Sequence, residues 1–236
     1  MIKAILFDLD GTLLPMDQEI FIKAYFKLLA ANLSSHGYNP DELIKAVWSG
    51  TEAMIKNNSG ELNENVFWKV FSNCYKEDKR KDEPIFAKYY ETDFQKAKEV
   101  CGFNKKAEEL VKAAKNEGFR VVLATNPVFP AIATESRIKW AGLKPSDFEF
   151  YTTYENSYSC KPNLKYYKDI IEKLGVLPEE CVMIGNDVTE DMIAEELGMK
   201  VFLITDSLIN KNNDDIEKYP NGNFDDAINY ILNLKN

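Results

Sequence analysis

Apolar positions along the chain follow two rhythms. Four short runs are apolar almost throughout and pass straight into a polar break. Residues 2–7 (IKAILF) meet Asp-Leu-Asp-Gly-Thr, 120–125 (RVVLAT) meet Asn-Pro, 181–185 (CVMIG) meet Asn-Asp, and 200–204 (KVFLI) meet Thr-Asp. Such runs are strands of a parallel sheet covered on both faces, and 148–152 (FEFYT) reads as a fifth. Between them lie segments of helical period at 105–117, 130–141, 163–174 and 190–197, each followed by a glycine (Gly118, Gly142, Gly175, Gly198) as a C-terminal stop. Residues 225–234 close the chain as an amphipathic helix. Strands alternating with helices predict an α/β fold, a Rossmann-like parallel sheet with helices on both faces.

Residues 16–98 keep a different rhythm. Helical spacing runs through 17–34, 41–57, 64–81 and 84–98, with Val66, Phe67, Val70, Phe71 and Cys74 on one apolar face of the third segment. The spacing therefore predicts an inserted all-helical domain (16–98), entered after the first strand of a core built from 1–15 and 99–236.

Composition narrows the chemistry. The 236 residues include one histidine, His36, so no multi-histidine zinc site can be built. His36 sits in a Ser-Ser-His-Gly helix end, a turn composition rather than a catalytic one. The net charge of −9 argues against nucleic acid as a partner. Cys74, Cys101, Cys160 and Cys181 are scattered without a C-x-x-C pair, and a reduced cytoplasmic setting is expected. No run is long enough for a membrane span, and acidic residues from position 8 onward leave no room for a signal-peptide apolar region.

In an open α/β sheet, ligands sit at the carboxyl ends of the strands. The polar residues there are Asp8 and Asp10, Thr125 and Asn126, then Asp187 and Asp191, with Lys161 just before a helix. A strand-end Asp is often only a helix cap or turn former, and a lone Lys is usually surface. Converging carboxylates, however, repel one another unless a cation lies among them, and hard oxygen ligands favour Mg²⁺.

FDLDGTL at 7–13 resembles the nucleophile motif of the haloacid dehalogenase-like phosphohydrolase superfamily. Thr125-Asn126 resembles its second motif, Lys161-Pro162 its third, and GNDVTED at 185–191 its acidic fourth. The helical insert resembles the C1 type of cap domain. The resemblance implies a phosphatase acting on a small phosphorylated metabolite. Asp8 would be the nucleophile that becomes an aspartyl-phosphate, and Asp10 the acid and base. Thr125, Asn126 and Lys161 would hold phosphoryl oxygens. Mg²⁺ would be held by Asp8, the Asp10 carbonyl and Asp187, with Asp191 behind them or reached through water. One departure stands in the fourth motif, where Asn186 follows the glycine that Asp usually follows. Either Asn186 or Asp187 then faces the metal; a charged oxygen suits a hard cation better.

A phosphomutase similar to β-phosphoglucomutase shares all of these motifs and stays open as an alternative, as does a non-catalytic ligand-binding module on the same scaffold. Asp10 argues against the dehalogenase branch, and no insert lysine stands out for a Schiff base. Cys74-x₅-Arg80 lacks the glycines of a cysteine-phosphatase loop, and no P-loop is present. The insert's many aromatics read first as bundle core; Trp48, Ser49 and Lys56 are candidates to face substrate. Oligomeric state and the identity of the phosphomonoester are not encoded in these motifs.

Overall fold

The computed structural model describes residues 1–235. Five parallel strands form one sheet: β1 (Ala4–Phe7), β2 (Arg120–Leu123), β3 (Cys181–Gly185), β4 (Lys200–Ile204) and β5 (Asn221–Gly222). Their order is β2-β1-β3-β4-β5. The chain leaves β1 towards one edge and later returns to its other side, so the strand order reverses between β1 and β3. That reversal opens a crevice at the carboxyl ends.

Both faces of the sheet are buried, which is why the strands read as continuous apolar runs. Ile5, Phe7, Val121, Leu123, Val182 and Ile184 face one apolar core. That core also takes up α5 (Lys106–Asn116), α6 (Ala131–Trp140) and α8 (Phe224–Leu232). Ala4, Leu6, Val122, Met183 and Val201 face the other core with α7 (Leu164–Leu174). The 120s and 180s strands keep a fixed register on β1, with Phe7 opposite both Leu123 and Ile184.

Residues 148–152 do run beside β2. Glu149 N donates to Val121 O (2.8 Å) and Thr152 N to Leu123 O (3.1 Å), but the pairing amounts to one isolated bridge at Tyr151 rather than a full strand. The fifth strand is instead the two-residue Asn-Gly of β5, too short and polar to leave a periodic trace. The segment expected as a helix at 190–197 tightens into a 3-10 turn, Met192–Leu197.

The insert holds α1 (Gln18–Ser34), α2 (Pro40–Ile55), α3 (Asn63–Tyr75) and α4 (Glu83–Glu91). The long third and fourth segments are each interrupted. Lys76 adopts a left-handed conformation (φ 56°) that ends α3, and Thr92 breaks the last helix before a 3-10 stretch, Asp93–Val100. The entering and leaving strands lie side by side, since Met16 bridges Cys101 and Gly102 N donates to Pro15 O (2.7 Å).

Asn63 ties the insert down. Wholly buried, it sends Nδ2 to Pro127 O (3.4 Å) and Ser159 O (3.3 Å), and its Oδ1 accepts from Asn57. Its backbone N–H donates to Ser157 O (2.8 Å), satisfying one of the orphan donors at the start of α3.

Candidate active site

The crevice between β1 and β3 gathers most of the residues expected there. Asp8 ends β1, its N–H donating to Ile184 O across the crevice (2.9 Å). Its side chain is buried, with Oδ1 accepting from Lys161 Nζ (2.8 Å) and Oδ2 from Thr12 Oγ1 (3.0 Å). The same ammonium donates to Asp191 Oδ1 (2.6 Å), and Asp191 Oδ2 accepts from Asp187 N (3.0 Å). One buried lysine thus sits between the carboxylates of two motifs that lie far apart in sequence.

Two glycines make room for this arrangement. Gly11 has φ +88°, and a Cβ there would come within 2.4 Å of Asn186 Nδ2. At Gly185 a Cβ would come within 2.1 Å of Asp191 Oδ2. Neither position tolerates a side chain unless Asn186 or Asp191 moves.

Asn186 is used up by the loops. Its Oδ1 accepts from Thr12 Oγ1 (2.9 Å) and its Nδ2 donates to Ser207 O (2.6 Å), so it braces the Asp8 loop against the loop after β4. Asp187 directs Oδ1 to the N–H groups of Thr189 (2.8 Å) and Glu190 (2.9 Å), leaving Oδ2 outside those bonds. Thr125 is buried at the end of β2, and its carbonyl is fixed by Thr152 Oγ1 (2.6 Å) and Tyr166 Oη (2.9 Å). Asn126 donates to Glu190 (3.0 Å), while its own Oδ1 is buried without a partner.

Electrostatics follow from burial. Burial alone would lower the Lys161 ammonium, but Asp191 and Asp8 outweigh it and hold the group well above the usual lysine range, so it is charged. Asp191 is raised, mainly by burial and also by the nearby Asp8 carboxylate, against the pull of Lys161. Glu190 is pushed up to about 7, mainly by burial and by the neighbouring Asp187 and Asp8 carboxylates, while Lys161 and Asn126 oppose.

Asp10 stands apart from the lysine-centred cluster. Its carboxylate is paired with the guanidinium of Arg137, a wholly buried residue of α6, while its Oδ1 is buried without a hydrogen-bond partner. Burial raises Asp10 more than Arg137 lowers it. Arg137 lies over the Phe129 ring (4.5 Å to the centroid) and also donates to Thr134 Oγ1 (3.3 Å).

Three participants escaped the sequence reading. Thr12 lay inside the FDLDGTL run and Glu190 inside GNDVTED, so their motifs could have flagged them. Arg137 carried no signal, because nothing local marks one arginine of a helix as buried against a residue 127 positions earlier. Among the insert candidates, Trp48 is 46% exposed and lines an aromatic cavity. Ser49 and Lys56 are not brought to the aspartates: Ser49 Oγ donates to Lys45 O (2.9 Å), and Lys56 pairs with Glu52 on an exposed helix face.

The donor set fits a hard divalent cation. Asp8, the Asp10 carbonyl and Asp187 offer only oxygen, and Asp187 Oδ2 is not engaged by its own loop. Among the described residues no three His, Cys, Asp or Glu side chains are gathered into a cage.

Fold and site together define an α/β protein with an aspartate cluster at a strand-order reversal and a helical insert entered after β1. A family model for haloacid dehalogenase-like hydrolases matches residues 2–198, and the chain belongs to that family. It is similar to a glyceraldehyde 3-phosphate phosphatase of Methanothermobacter thermautotrophicus, 28% identical over 105 residues. That match spans 44% of this chain and 45% of the relative, so the two are aligned over less than half their lengths.

Among solved structures, a HAD phosphatase from Thermococcus onnurineus superposes with a TM-score of 0.60 at 21% identity, over 98% of both chains. CbbY from Rhodobacter sphaeroides, solved with xylulose-(1,5)bisphosphate, gives 0.57 at 16% over 95% of both. At these identities the likeness is one of fold. The family assignment places the chain among the haloacid dehalogenase-like hydrolases. No helix among the described residues is long and apolar enough to cross a membrane.

Proposed function

We propose that the protein is a Mg²⁺-dependent phosphatase that cleaves a small phosphomonoester through an aspartyl-phosphate on Asp8. The observation that carries this reading is the buried Lys161 ammonium, 2.8 Å from Asp8 and 2.6 Å from Asp191. It places a fixed positive charge beside the proposed nucleophile, where negative charge grows on the phosphoryl oxygens.

In this reading an Asp8 oxygen attacks phosphorus as the ester oxygen leaves, and Asp10 gives that oxygen its proton. Asp10, now a carboxylate, then takes a proton from the water that attacks the aspartyl-phosphate, which returns Asp8 and releases phosphate. Its raised pKa suits the first role, and Arg137 stabilises the carboxylate form that the second requires. Thr125 and the Asn126 N–H hold phosphoryl oxygens, and Tyr166 and Thr152 fix the loop that presents them. Asp8, the Asp10 carbonyl and Asp187 would hold Mg²⁺, and Asp191 steadies Asp187 through its backbone N–H. When bound, the ion offsets the charge of Asp8 against the incoming dianion.

Residues 16–98 act as a cap over the crevice. Its closure would exclude water while Asp8 reacts.

The test is phosphate release from a panel of phosphomonoesters with Mg²⁺, with EDTA, and with Asp8→Asn. Release that needs Mg²⁺ and falls by about 10³-fold or more in Asp8→Asn is expected. Release that persists in Asp8→Asn or in EDTA refutes it. Isomerisation of a sugar phosphate faster than phosphate release would replace the phosphatase by the mutase.

A further inference from the structure

Asn63 is the first residue of α3, yet α3 has no side-chain cap. The helix is started from outside the insert instead. Asn63 N donates to Ser157 O (2.8 Å) and Glu64 N to Tyr154 O (2.9 Å), so carbonyls of the core answer two of the orphan donors that open this helix. The side-chain amide of Asn63 faces the same region. Its Nδ2 donates to Pro127 O (3.4 Å), Ser159 O (3.3 Å) and Cys160 Sγ (3.3 Å), and its Oδ1 accepts from Asn57 Nδ2 (2.9 Å). Backbone carbonyls only accept, so the amide fits only this way round.

Those acceptors stand at the loops that carry the second and third motifs. Pro127 follows Asn126, and Cys160 precedes Lys161. Each motif lies in a tight turn. Val128 N donates to Asn126 O (2.9 Å) across Pro127, and Asn163 N donates to Cys160 O (3.0 Å) across Lys161 and Pro162. Proline has no N–H, so its carbonyl is the one backbone group by which Pro127 can be held. The Asn63 amide takes that carbonyl at one turn and Ser159 O at the foot of the other. Thr152 and Tyr166 fix the Thr125 carbonyl, and Asp8 and Asp191 fix Lys161 Nζ. Asn63 is the group that spans from one turn to the other. It is wholly buried, so it acts through the turns and not on a substrate.

We propose that Asn63 is a positioning residue through which the insert sets the Asn126 turn and the Lys161 turn at the separation that a phosphoryl group requires. The proposal rests on the phosphatase reading above, in which the Asn126 N–H and Lys161 hold phosphoryl oxygens. The amide belongs to the insert and both turns belong to the core, so the phosphate-holding groups are in register only while the insert is seated. Seating the insert and completing the site are then one event, and an ester that fails to seat it meets donors out of place. A misplacement of about 1 Å can cost about 10²-fold in rate. Lys161 keeps its own carboxylate partners, so loss of the Asn63 amide is expected to cost about ten- to hundredfold. The two turns matter most where charge grows on the phosphoryl oxygens, so kcat falls by more than KM rises.

The experiment compares Asn63→Ala with Asn63→Asp, which keeps the shape of the side chain and removes both Nδ2 donors. Phe71→Leu is the control: Phe71 is buried among Tyr38, Phe67, Trp68 and Phe86 inside the insert, and its truncation loosens the insert without removing a bond to either turn. For each folded protein, kcat, KM and inhibition by vanadate are measured with Mg²⁺ on the best phosphomonoester of the panel. Hydrogen exchange is followed by mass spectrometry over residues 124–130 and 158–166. Both Asn63 variants are expected to lose about ten- to hundredfold in kcat, to bind vanadate more weakly by a similar factor, and to exchange faster in both segments. Phe71→Leu should stay within about threefold in kcat and vanadate inhibition. Kinetics within about threefold of the unaltered protein in the Asn63 variants, a rise in KM alone, or equal losses in Phe71→Leu overturn the proposal. If the unaltered protein turns over no ester, the phosphatase reading falls and exchange alone decides the tie. Faster exchange in both segments then retains it, and faster exchange in one or neither overturns it.

Discussion

Arg137→Met offers a direct test of the Asp10 environment. The change removes a wholly buried guanidinium and keeps an unbranched apolar side chain in its place. Removing one member of a buried ion pair costs ~3–5 kcal/mol when the other charge stays stranded. Asp10 is not fully stranded, since its side chain keeps 21% exposure and can take up a proton, so the electrostatic part is discounted to ~2–3 kcal/mol at most.

The sign with pH follows from the direction of the shift. Asp10 is raised in the folded protein, so its contribution to stability is full below the ordinary carboxylate range and is lost as pH rises through its folded value. Arg137 holds that value down, and without it the loss continues to higher pH, at up to about 1.4 kcal/mol per pH unit. The lost contact with Phe129 and the bond to Thr134 add about 1–2 kcal/mol that does not depend on pH. Urea unfolding in metal-free buffer at pH 5 and pH 8 reads the difference. The destabilisation is expected to be larger at pH 8 by at least about 1 kcal/mol. A penalty equal at both values, or larger at pH 5, would mean that Arg137 does not control the ionisation of Asp10.

Three further outcomes follow from the same geometry. Lys161→Met leaves Asp8 and Asp191 facing each other without their shared cation; kcat should fall by about 10²–10³-fold, and a loss of less than tenfold in steady-state assays would contradict the role given to Lys161. Asn186→Asp sets an oxygen against Ser207 O where an N–H now donates, at a cost of about 1–3 kcal/mol in urea unfolding. It should not tighten Mg²⁺ binding in a titration of activity, and tighter binding at unchanged stability would show that position 186, not Asp187, faces the ion. Asn63→Ala strips the buried contacts to Pro127, Ser159 and Asn57, and about 2–3 kcal/mol of stability should go with them; an unchanged urea midpoint would mean that the insert is held mainly by its apolar contacts.

The sequence by itself determined the sheet and the order of its chemistry. A parallel strand buried on both faces is apolar at nearly every position, so β1, β2, β3 and β4 announced themselves without any long-range information. The strand ends then had to carry whatever polar groups the crevice uses, which is why Asp8, Thr125, Asp187 and Asp191 could be named in advance. Local signals failed where the cause is not local. The two-residue β5 exists only because β4 offers it an edge, and the 148–152 run stops at a single bridge for want of further pairing on β2. Breaks at Lys76 and Thr92 were invisible to a period count, because neither glycine nor proline marks them.

Tertiary structure alone decided which charges meet. The composition supplied 29 basic side chains; the third motif named Lys161, but only packing buries it and Arg137 and pairs each with a motif aspartate. It also turned Asn186 into a brace by setting Thr12 and Ser207 on either side of it. Burial is a property of the whole packed chain, and a buried charge must find its partner wherever the fold brings one within reach, however far apart the two stand in sequence.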